Sequence, residues 1–376
     1  LIWRYTIKND KIQGLFDYSE SEEPAEYPSF EVALLALGSV RGLGVKSIGK
    51  IVDAYGDKLG LIFHDKYENI IERIPSMDLK LHELLTYEIR KDPERIVNLA
   101  QKELDNLLKD NIHIIPFSRI PKQMAGYSDS PRWLFVQGDV GTVYSGCLIG
   151  AVGTRQPSEE GRRRARLAAR ILGGYEVAVV SGLAEGIDDE IHRASLERGL
   201  KNVAFLGHGI NKVFPASTES TREWILNSGG AVVSEYFPNE GFQKSYFVQR
   251  NRLQALLSSA VIFIEANQKS GTAYTLEFAH KYRRRIAGFK AKEPGIEQTI
   301  SLYGYPIFNI ISQSGIREFD RFIRSTVGGT NNRNKLIKKI TEELGREISI
   351  RDLSRSDVQQ IIAELIAIAH LASNKE

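Results

Sequence analysis

A chain of 376 residues, 42% hydrophobic and 26% charged, has the makeup of a soluble globular protein of two or three domains rather than a disordered or fibrous one. Its net charge of +3 permits a polyanionic partner without requiring one, because clustering of charge decides that question. The single cysteine, Cys147, excludes an intrachain disulfide framework, and no apolar stretch is long enough to span a bilayer, so a cytoplasmic protein without membrane contact is expected.

Residues 1–28 are polar and carry Asp17, Glu20, Glu22, Glu23 and Glu26, which predicts an acidic leader. From 29 to 110 apolar residues recur at helical spacing. The first run is Val32-Ala33-Leu34-Leu35-Ala36-Leu37, and a later one holds Ile96, Leu99, Ala100, Leu104, Leu107 and Leu108. After the first lies Ser39-Val40-Arg41-Gly42-Leu43-Gly44-Val45-Lys46. Two helices joined by a Gly-x-Gly hairpin with flanking cations can offer backbone N–H groups to DNA phosphates; a plain helix–helix turn has the same pattern. Residues 111–146 are short extended pieces punctuated by Pro116, Pro121 and Pro131, a connector onto the next domain.

Strand and helix alternate from 147 to 290, the pattern of a parallel sheet covered on both faces. Strands are predicted over 147–152, 177–180, 202–206, 231–234, 260–264 and 285–289. Helices are predicted over 158–172, 187–199, 219–228, 250–258 and 272–283. Residues 291–330 are a mixed segment with several glycines. Residues 331–376 read as a small helical unit with Lys335, Lys338 and Lys339 on its first helix and a Ser356–Gln359 capping box before the last.

Ligands of open parallel sheets bind beyond the carboxyl ends of the strands. Those ends carry Gly153-Thr154-Arg155, Ser181-Gly182-Leu183-Ala184 with Gly186-Ile187-Asp188, Gly207-His208-Gly209, Ser234-Glu235, and Glu265-Ala266 with Ser270-Gly271-Thr272. The first leads into a helix opening near Ser158, where free N–H groups and the helix dipole favour an anion, and Arg155 adds a planar cation. Small residues let a phosphate chain approach the backbone. Arg250-Asn251-Arg252, placed at a predicted helix start, suits phosphate clamping. Arg162, Arg166 and Arg170 share one helix face, as either a nucleic-acid stripe or a solvated surface, and Arg283-Arg284-Arg285 has the same two readings. Asp188 and His192, four residues apart, read as a helix-internal hydrogen bond that fixes a loop; no nucleophile accompanies them. Histidine and cysteine spacing gives no zinc site, and neither a P-loop nor G-x-G-x-x-G follows a predicted strand, so no metal or cofactor is expected.

Together these segments resemble the DNA-processing protein A (DprA, or Smf) family across most of residues 30–290. Gly153-Thr154-Arg155 resembles its Gly-Ser-Arg turn. The block Ser181-Gly182-Leu183-Ala184-Glu185-Gly186-Ile187-Asp188, with His192, resembles its Ser-Gly-Leu-Ala-x-Gly-Ile-Asp-x-x-Ala-His. Phe214-Pro215 stands for its Tyr-Pro, and Ser234-Glu235 and Arg250-Asn251-Arg252 match its Ser-Glu and Arg-Asn-Arg. Glu265, Ser270-Gly271-Thr272 and Thr275 fit its Glu-Ala…Ser-Gly-Ser-x-x-Thr stretch.

The resemblance implies an α/β fold: an extended Rossmann-like parallel sheet over 111–330, preceded by a helical domain related to SAM or helix-hairpin-helix modules over 29–110. It also implies a small C-terminal helical domain of winged-helix-like type over 331–376. The implied role is sequence-independent single-stranded DNA binding by a homodimer that delivers a RecA-type recombinase in natural transformation or recombination, without catalysis. Phosphate contacts are expected at Gly153, Thr154, Arg155, Ser181, Gly182, Gly186, Arg250, Asn251, Arg252, Ser270, Gly271 and Thr272, with Asp188, His192 and Glu265 fixing loops. The chain departs from the family pattern at Glu185, where a basic residue is usual, at Ile191 in place of alanine, and at Ala287-Gly288-Phe289-Lys290 in place of Val-Pro-Gly. Glu185 keeps open a nucleotide-sensing protein acting with a partner effector in phage defence. A nucleoside-monophosphate-cleaving enzyme of a related fold is the third reading.

Overall fold

The computed structural model describes residues 27–328 apart from 76, 269 and 294. Residues 1–26 of the acidic leader expected over 1–28, and the helical unit expected over 331–376, lie outside the described residues. The chain forms two compact units. Among the described residues, one holds 27–141 together with His208–Lys212 and Val233–Gly241; the other holds Thr142–Gly207, Val213–Val232 and 242–328.

The first unit is helical, then extended. Ser29 caps α1 (Phe30–Ser39) by accepting from the Val32 N–H at 3.3 Å. Every residue from Phe30 to Leu37 is buried, so α1 is a central helix rather than an amphipathic surface one. Gly42 turns the chain at a φ of +91° toward α2 (Val45–Tyr55), a conformation that a Cβ would strain. α3 (Tyr67–Arg73) and α4 (Leu79–Lys91) follow. Asp92 caps α5 (Pro93–Lys109), whose first residue is the proline that this position tolerates best. α5 packs on α1. The short extended pieces expected in the connector include an antiparallel pair, β1 (Ile112–Pro116) with β2 (Trp133–Gly138), in the register Ile112↔Gln137 to Pro116↔Trp133. Because β1 packs against α5, the compact division falls at Gly141 rather than at the expected 110.

The second unit alternates strand and helix as the pattern predicts. In chain order it runs β3 (Leu148–Val152), α6 (Glu159–Leu172), β4 (Ala178–Ser181), α7 (Ile187–Leu196), β5 (Lys201–Phe205), α8 (Glu219–Asn227), and β6 (Ala231–Ser234), within which the chain passes to the first unit. It resumes with α9 (Lys244–Leu257), β7 (Ala260–Phe263), α10 (Gly271–Lys281), β8 (Arg285–Phe289), α11 (Ile296–Leu302), β9 (Ile307–Phe308) and α12 (Gln313–Val327). The strands lie in the order β5-β4-β3-β7-β8-β9, with parallel registers that include Leu148↔Ala178 and Ile149↔Ala260. Successive strands build outward from β3 on one side and from β7 on the other. The topological switch point therefore lies between β3 and β7.

All five residues of β3 are buried, as a central parallel strand requires. Against one face of this sheet, α6 buries Ala165, Ala168, Ala169 and Leu172 at helical spacing. Three alanines on that stripe let the helix axis approach the sheet closely. Phe319, Phe322 and Ile323 of α12 complete the same core.

Candidate nucleic-acid interface

The loops beyond β3, β4, β5 and β7, with the first turn of α10, form the rim to which the motifs were assigned. Most motif residues turn inward. The Thr154 N–H donates to the Glu265 carbonyl at 2.7 Å, and the Ile187 N–H donates to the Thr154 carbonyl at 3.0 Å. The Thr272 hydroxyl donates to the Gly153 carbonyl at 3.0 Å. A Cβ on Gly153 would meet Ile187 at 2.6 Å and the Glu265 carbonyl at 2.7 Å, so glycine there serves close packing of turn on turn. Gly186, at a φ of +83°, lies against the Thr154 and Arg155 backbone for the same reason.

Asp188, at the start of α7, is buried and accepts from the Gly182 N–H at 3.1 Å. The Gly153 N–H also hydrogen-bonds to it, and the Ser181 hydroxyl and Arg250 lie near. Burial raises its carboxyl above the usual range, against the lowering by Arg250 and these donors. Ser181 Oγ donates to the Ala151 carbonyl at 2.6 Å. The N–H groups of Gly153 and Gly182, expected to meet phosphate, are thus committed within the fold, and so is the Ser181 hydroxyl.

Two further expectations are corrected. Asp188 does not pair with His192. The His192 Nδ1 meets Asn202 Oδ1 at 2.8 Å, and the Asn202 amide nitrogen donates to the Leu200 carbonyl at 3.0 Å. That orientation makes Oδ1 the acceptor, so the proton sits on Nδ1. His192 is fully buried, its Nε2 has no hydrogen-bond partner among the described residues, and burial pushes its pKa down to about 4. The second correction concerns Arg250-Asn251-Arg252. Helix α9 begins at Lys244, so the triplet lies in mid-helix and the argument from an unfavourable helix end lapses. Apart from Val248, residues 244–249 are polar or aromatic and form no apolar stripe, which hides the early start from periodicity. Arg250 is 3% exposed. It donates to the Phe205 carbonyl at 2.7 Å and lies beneath Gly182, where any Cβ would collide with its guanidinium. Arg252 is buried as well, and Asn251 donates to the Gly271 carbonyl at 3.1 Å.

The helix end at the switch point is also filled. Glu265 accepts from the Ser158 N–H at 2.9 Å and from the Ser158 hydroxyl at 2.7 Å, with Arg164 at 3.6 Å. The N-terminus of α6, expected to bind an external anion, already holds the protein's own carboxylate. α10 differs: Ser270 precedes it without a side-chain capping bond, its hydroxyl is buried with no partner among the described residues, and the space beside Gly271 is open.

What faces outward is Arg155 and a group of rings. The Arg155 guanidinium is exposed and lies over the Phe247 ring, 5.4 Å from its centroid. Phe214 stacks on Phe242 at 4.0 Å between centroids, and Phe247 lies 5.8 Å from Phe214 and 6.2 Å from Phe242. Phe242 is 53% and Phe214 37% exposed. Gly207, read as a phosphate-approach glycine, makes room for Phe247 instead: a Cβ there would meet that ring at 2.7 Å. Sequence reasoning missed Phe242 and Phe247. The available signal was aromatics interleaved with Lys244 just before the arginine triplet.

The remaining basic clusters are largely structural. Arg162 and Arg166 pair with Glu190 at 3.4 and 2.7 Å. Arg284 donates to the Ala255 and Leu256 carbonyls at the end of α9, and Arg285 donates to Ser325 and lies over Phe322.

A parallel α/β sheet with a switch point between β3 and β7, whose strand-end loops are cross-braced inside, places the second unit in the Rossmann-like class. The profile of the DNA recombination-mediator protein A family matches residues 111–299, about half of the chain, and the chain belongs to that family. Protein Smf of Escherichia coli is 33% identical over 203 residues, covering 52% of this chain and 54% of that one. DNA processing protein DprA of Streptococcus pneumoniae is 33% identical over 168 residues, covering 44% and 58%. The chain thus spans about half the length of the curated relatives it matches. The solved structure of DNA processing protein A from Helicobacter pylori, described for its single-stranded DNA binding mode, shares the fold with a TM-score of 0.51 at 24% identity, over 56% of this chain and 95% of that one. No helix among the described residues is long and apolar enough to cross a membrane.

Proposed function

We propose that the rim of the second unit binds single-stranded DNA without sequence preference and that the protein acts as a recombination mediator. The observation that carries this reading is Arg155 lying over Phe247 in a cluster of three rings at the carboxyl ends of the strands. Every nucleobase has a face that stacks on such rings, and Arg155 supplies a cation for the adjoining phosphate. The open start of α10, tied to the Gly153 turn through Thr272, offers a second phosphate position. Family membership and the single-stranded DNA binding of the Helicobacter relative support the same reading. Its fuller form is a non-catalytic homodimer that delivers a RecA-type recombinase to the strand in transformation or recombination.

Glu265 weighs against a nucleotide sensor with a Rossmann-type pose, because its carboxylate stands where a pyrophosphate would meet the helix end. The test is fluorescence anisotropy with labelled oligo-dT across a salt series, with mononucleotides as competitors. Tight binding that weakens steeply with salt, falls about tenfold in Arg155→Ala and resists mononucleotides is the expected result. A folded protein that ignores oligo-dT at low salt overturns the reading.

A further inference from the structure

Glu185 stands in the turn between β4 and α7, where the family pattern carries a cation. An exposed carboxylate beside a DNA path would repel phosphates if its charge faced them. Its surroundings show another use. The Ser217 hydroxyl donates to Glu185 Oε1 at 2.6 Å. One residue later the Thr218 hydroxyl donates to the Leu183 carbonyl at 3.1 Å, and Leu183 is buried at a φ of +53°. Two adjacent residues of the segment after β5 are therefore pinned to the single turn after β4.

That segment carries Phe214, three residues before Ser217, and Phe214 is the ring stacked most closely on Phe242. Residues 213, 214, 216 and 217 are all exposed, so apolar burial does little to hold the segment in place. The side-chain hydrogen bonds of Ser217 and Thr218 therefore contribute to holding it.

We infer that Glu185 is a positioning residue: through Ser217 it holds the 213–218 segment so that Phe214 completes the surface on which nucleobases stack. The inference rests on the proposed reading of the rim as a single-stranded DNA surface. It assigns the departure from the family pattern a gain in base contact at the expense of a phosphate contact. A carboxylate engaged by a hydroxyl and a carboxylate that repels the strand predict different behaviour from the same variants.

The experiment measures affinity for a dT oligonucleotide and for an abasic oligonucleotide of equal length, using the full chain and the variants Glu185→Ala, Glu185→Gln, Ser217→Ala and Glu185→Ala with Ser217→Ala. Glu185→Ala and Ser217→Ala are each expected to lower the dT-to-abasic ratio about fivefold, the share of one stacking contact. The double variant falls no further, because both changes break one link. Glu185→Gln, whose amide oxygen still accepts from Ser217, keeps the wild-type ratio.

An unchanged ratio in both single variants overturns the inference. So does tighter binding of both oligonucleotides in Glu185→Ala and Glu185→Gln alike with Ser217→Ala silent, which is the signature of plain repulsion. If the wild-type chain binds neither oligonucleotide, the strand reading falls and this inference with it. Hydrogen exchange at residues 213–218 separates the two failures. Faster exchange in Glu185→Ala and Ser217→Ala but not in Glu185→Gln shows the link to be real and the ligand wrong; unaltered exchange shows that the link holds nothing.

Discussion

Two regions of the second unit lie close in sequence and differ in kind. The inner one holds Gly153, Gly182, Asp188, Arg250 and Glu265, the residues that make the chain resemble its family. Their polar groups meet one another: Asp188 ties the turns after β3 and β4, Arg250 ties β5 to the floor of Gly182, and Glu265 closes the start of α6. The outer region holds Arg155, Phe214, Phe242 and Phe247, which touch one another and solvent. The contrast teaches that glycine, acid and arginine at a strand end can mark scaffold as readily as ligand contact. Four loops that present a shared surface must first be fixed to each other, and buried charge with exact partners does this at close range.

The largest effect should come from breaking the inner region. Asp188→Ala leaves the Gly153 and Gly182 amides without their acceptor and removes the carboxylate near Arg250. Each buried donor left unsatisfied costs about 1–3 kcal/mol. Urea unfolding should show that loss, and a change under about 1 kcal/mol would mean that the loops are held by something else.

How much of this could be read beforehand follows the same division. The strands and most helices of the second unit are legible because parallel strands between helices must be nearly continuous apolar runs, as Leu148-Ile149-Gly150-Ala151-Val152 is. The start of α9 was not, since Lys244-Ser245-Tyr246-Phe247-Val248-Gln249 has no apolar stripe. That the motif residues gather beyond one end of the sheet was legible, because the carboxyl ends of neighbouring parallel strands share one rim. Their direction was not legible. Whether Arg250 faces a phosphate or the Phe205 carbonyl depends on which side of α9 meets the sheet, and moving the helix start by six residues removes the end-of-helix argument altogether. Phe242 and Phe247 escaped because an aromatic in a polar stretch reads as ordinary until its neighbours in space are known.

Acid should also probe the inner region, with a slightly smaller effect. His192 is held neutral with a pKa of about 4, whereas in the unfolded chain it titrates near its ordinary value of 6.5. The folded group is depressed, so the unfolded chain binds the extra proton between these values. The contribution is therefore fully present above about pH 6.5 and is lost as pH falls through that window toward 4, amounting to about 3 kcal/mol. Unfolding free energies of the wild type and of His192→Gln, measured from pH 7 to 4, check this. The two curves should converge as pH falls, and parallel curves would show that His192 does not titrate as its burial demands.

The outer region should respond in binding rather than in stability. Phe247→Ala removes the ring that carries Arg155 and touches both other phenylalanines, so oligo-dT affinity should fall by about 1–3 kcal/mol. The slope of affinity against salt should stay the same, because no phosphate contact is lost. A fall confined to stability, with binding intact, would return Phe247 to the scaffold.

The smallest effect is the most discriminating. Arg155→Lys keeps one positive charge at the rim but exchanges a planar, weakly hydrated fork for a compact, strongly hydrated ammonium. If Arg155 acts only as a charge near phosphate, the lysine variant should match the wild type in both affinity and salt slope. If it acts through its place over Phe247, the slope should be unchanged while affinity falls by about threefold at every salt concentration, as expected for losing part of a cation–π contact at an exposed site. Arg155→Ala measured alongside should also lower the slope by about one unit. A constant offset in one variant and a changed slope in the other would show that a single side chain serves the ring and the strand together, the property that separates the outer region from the inner one.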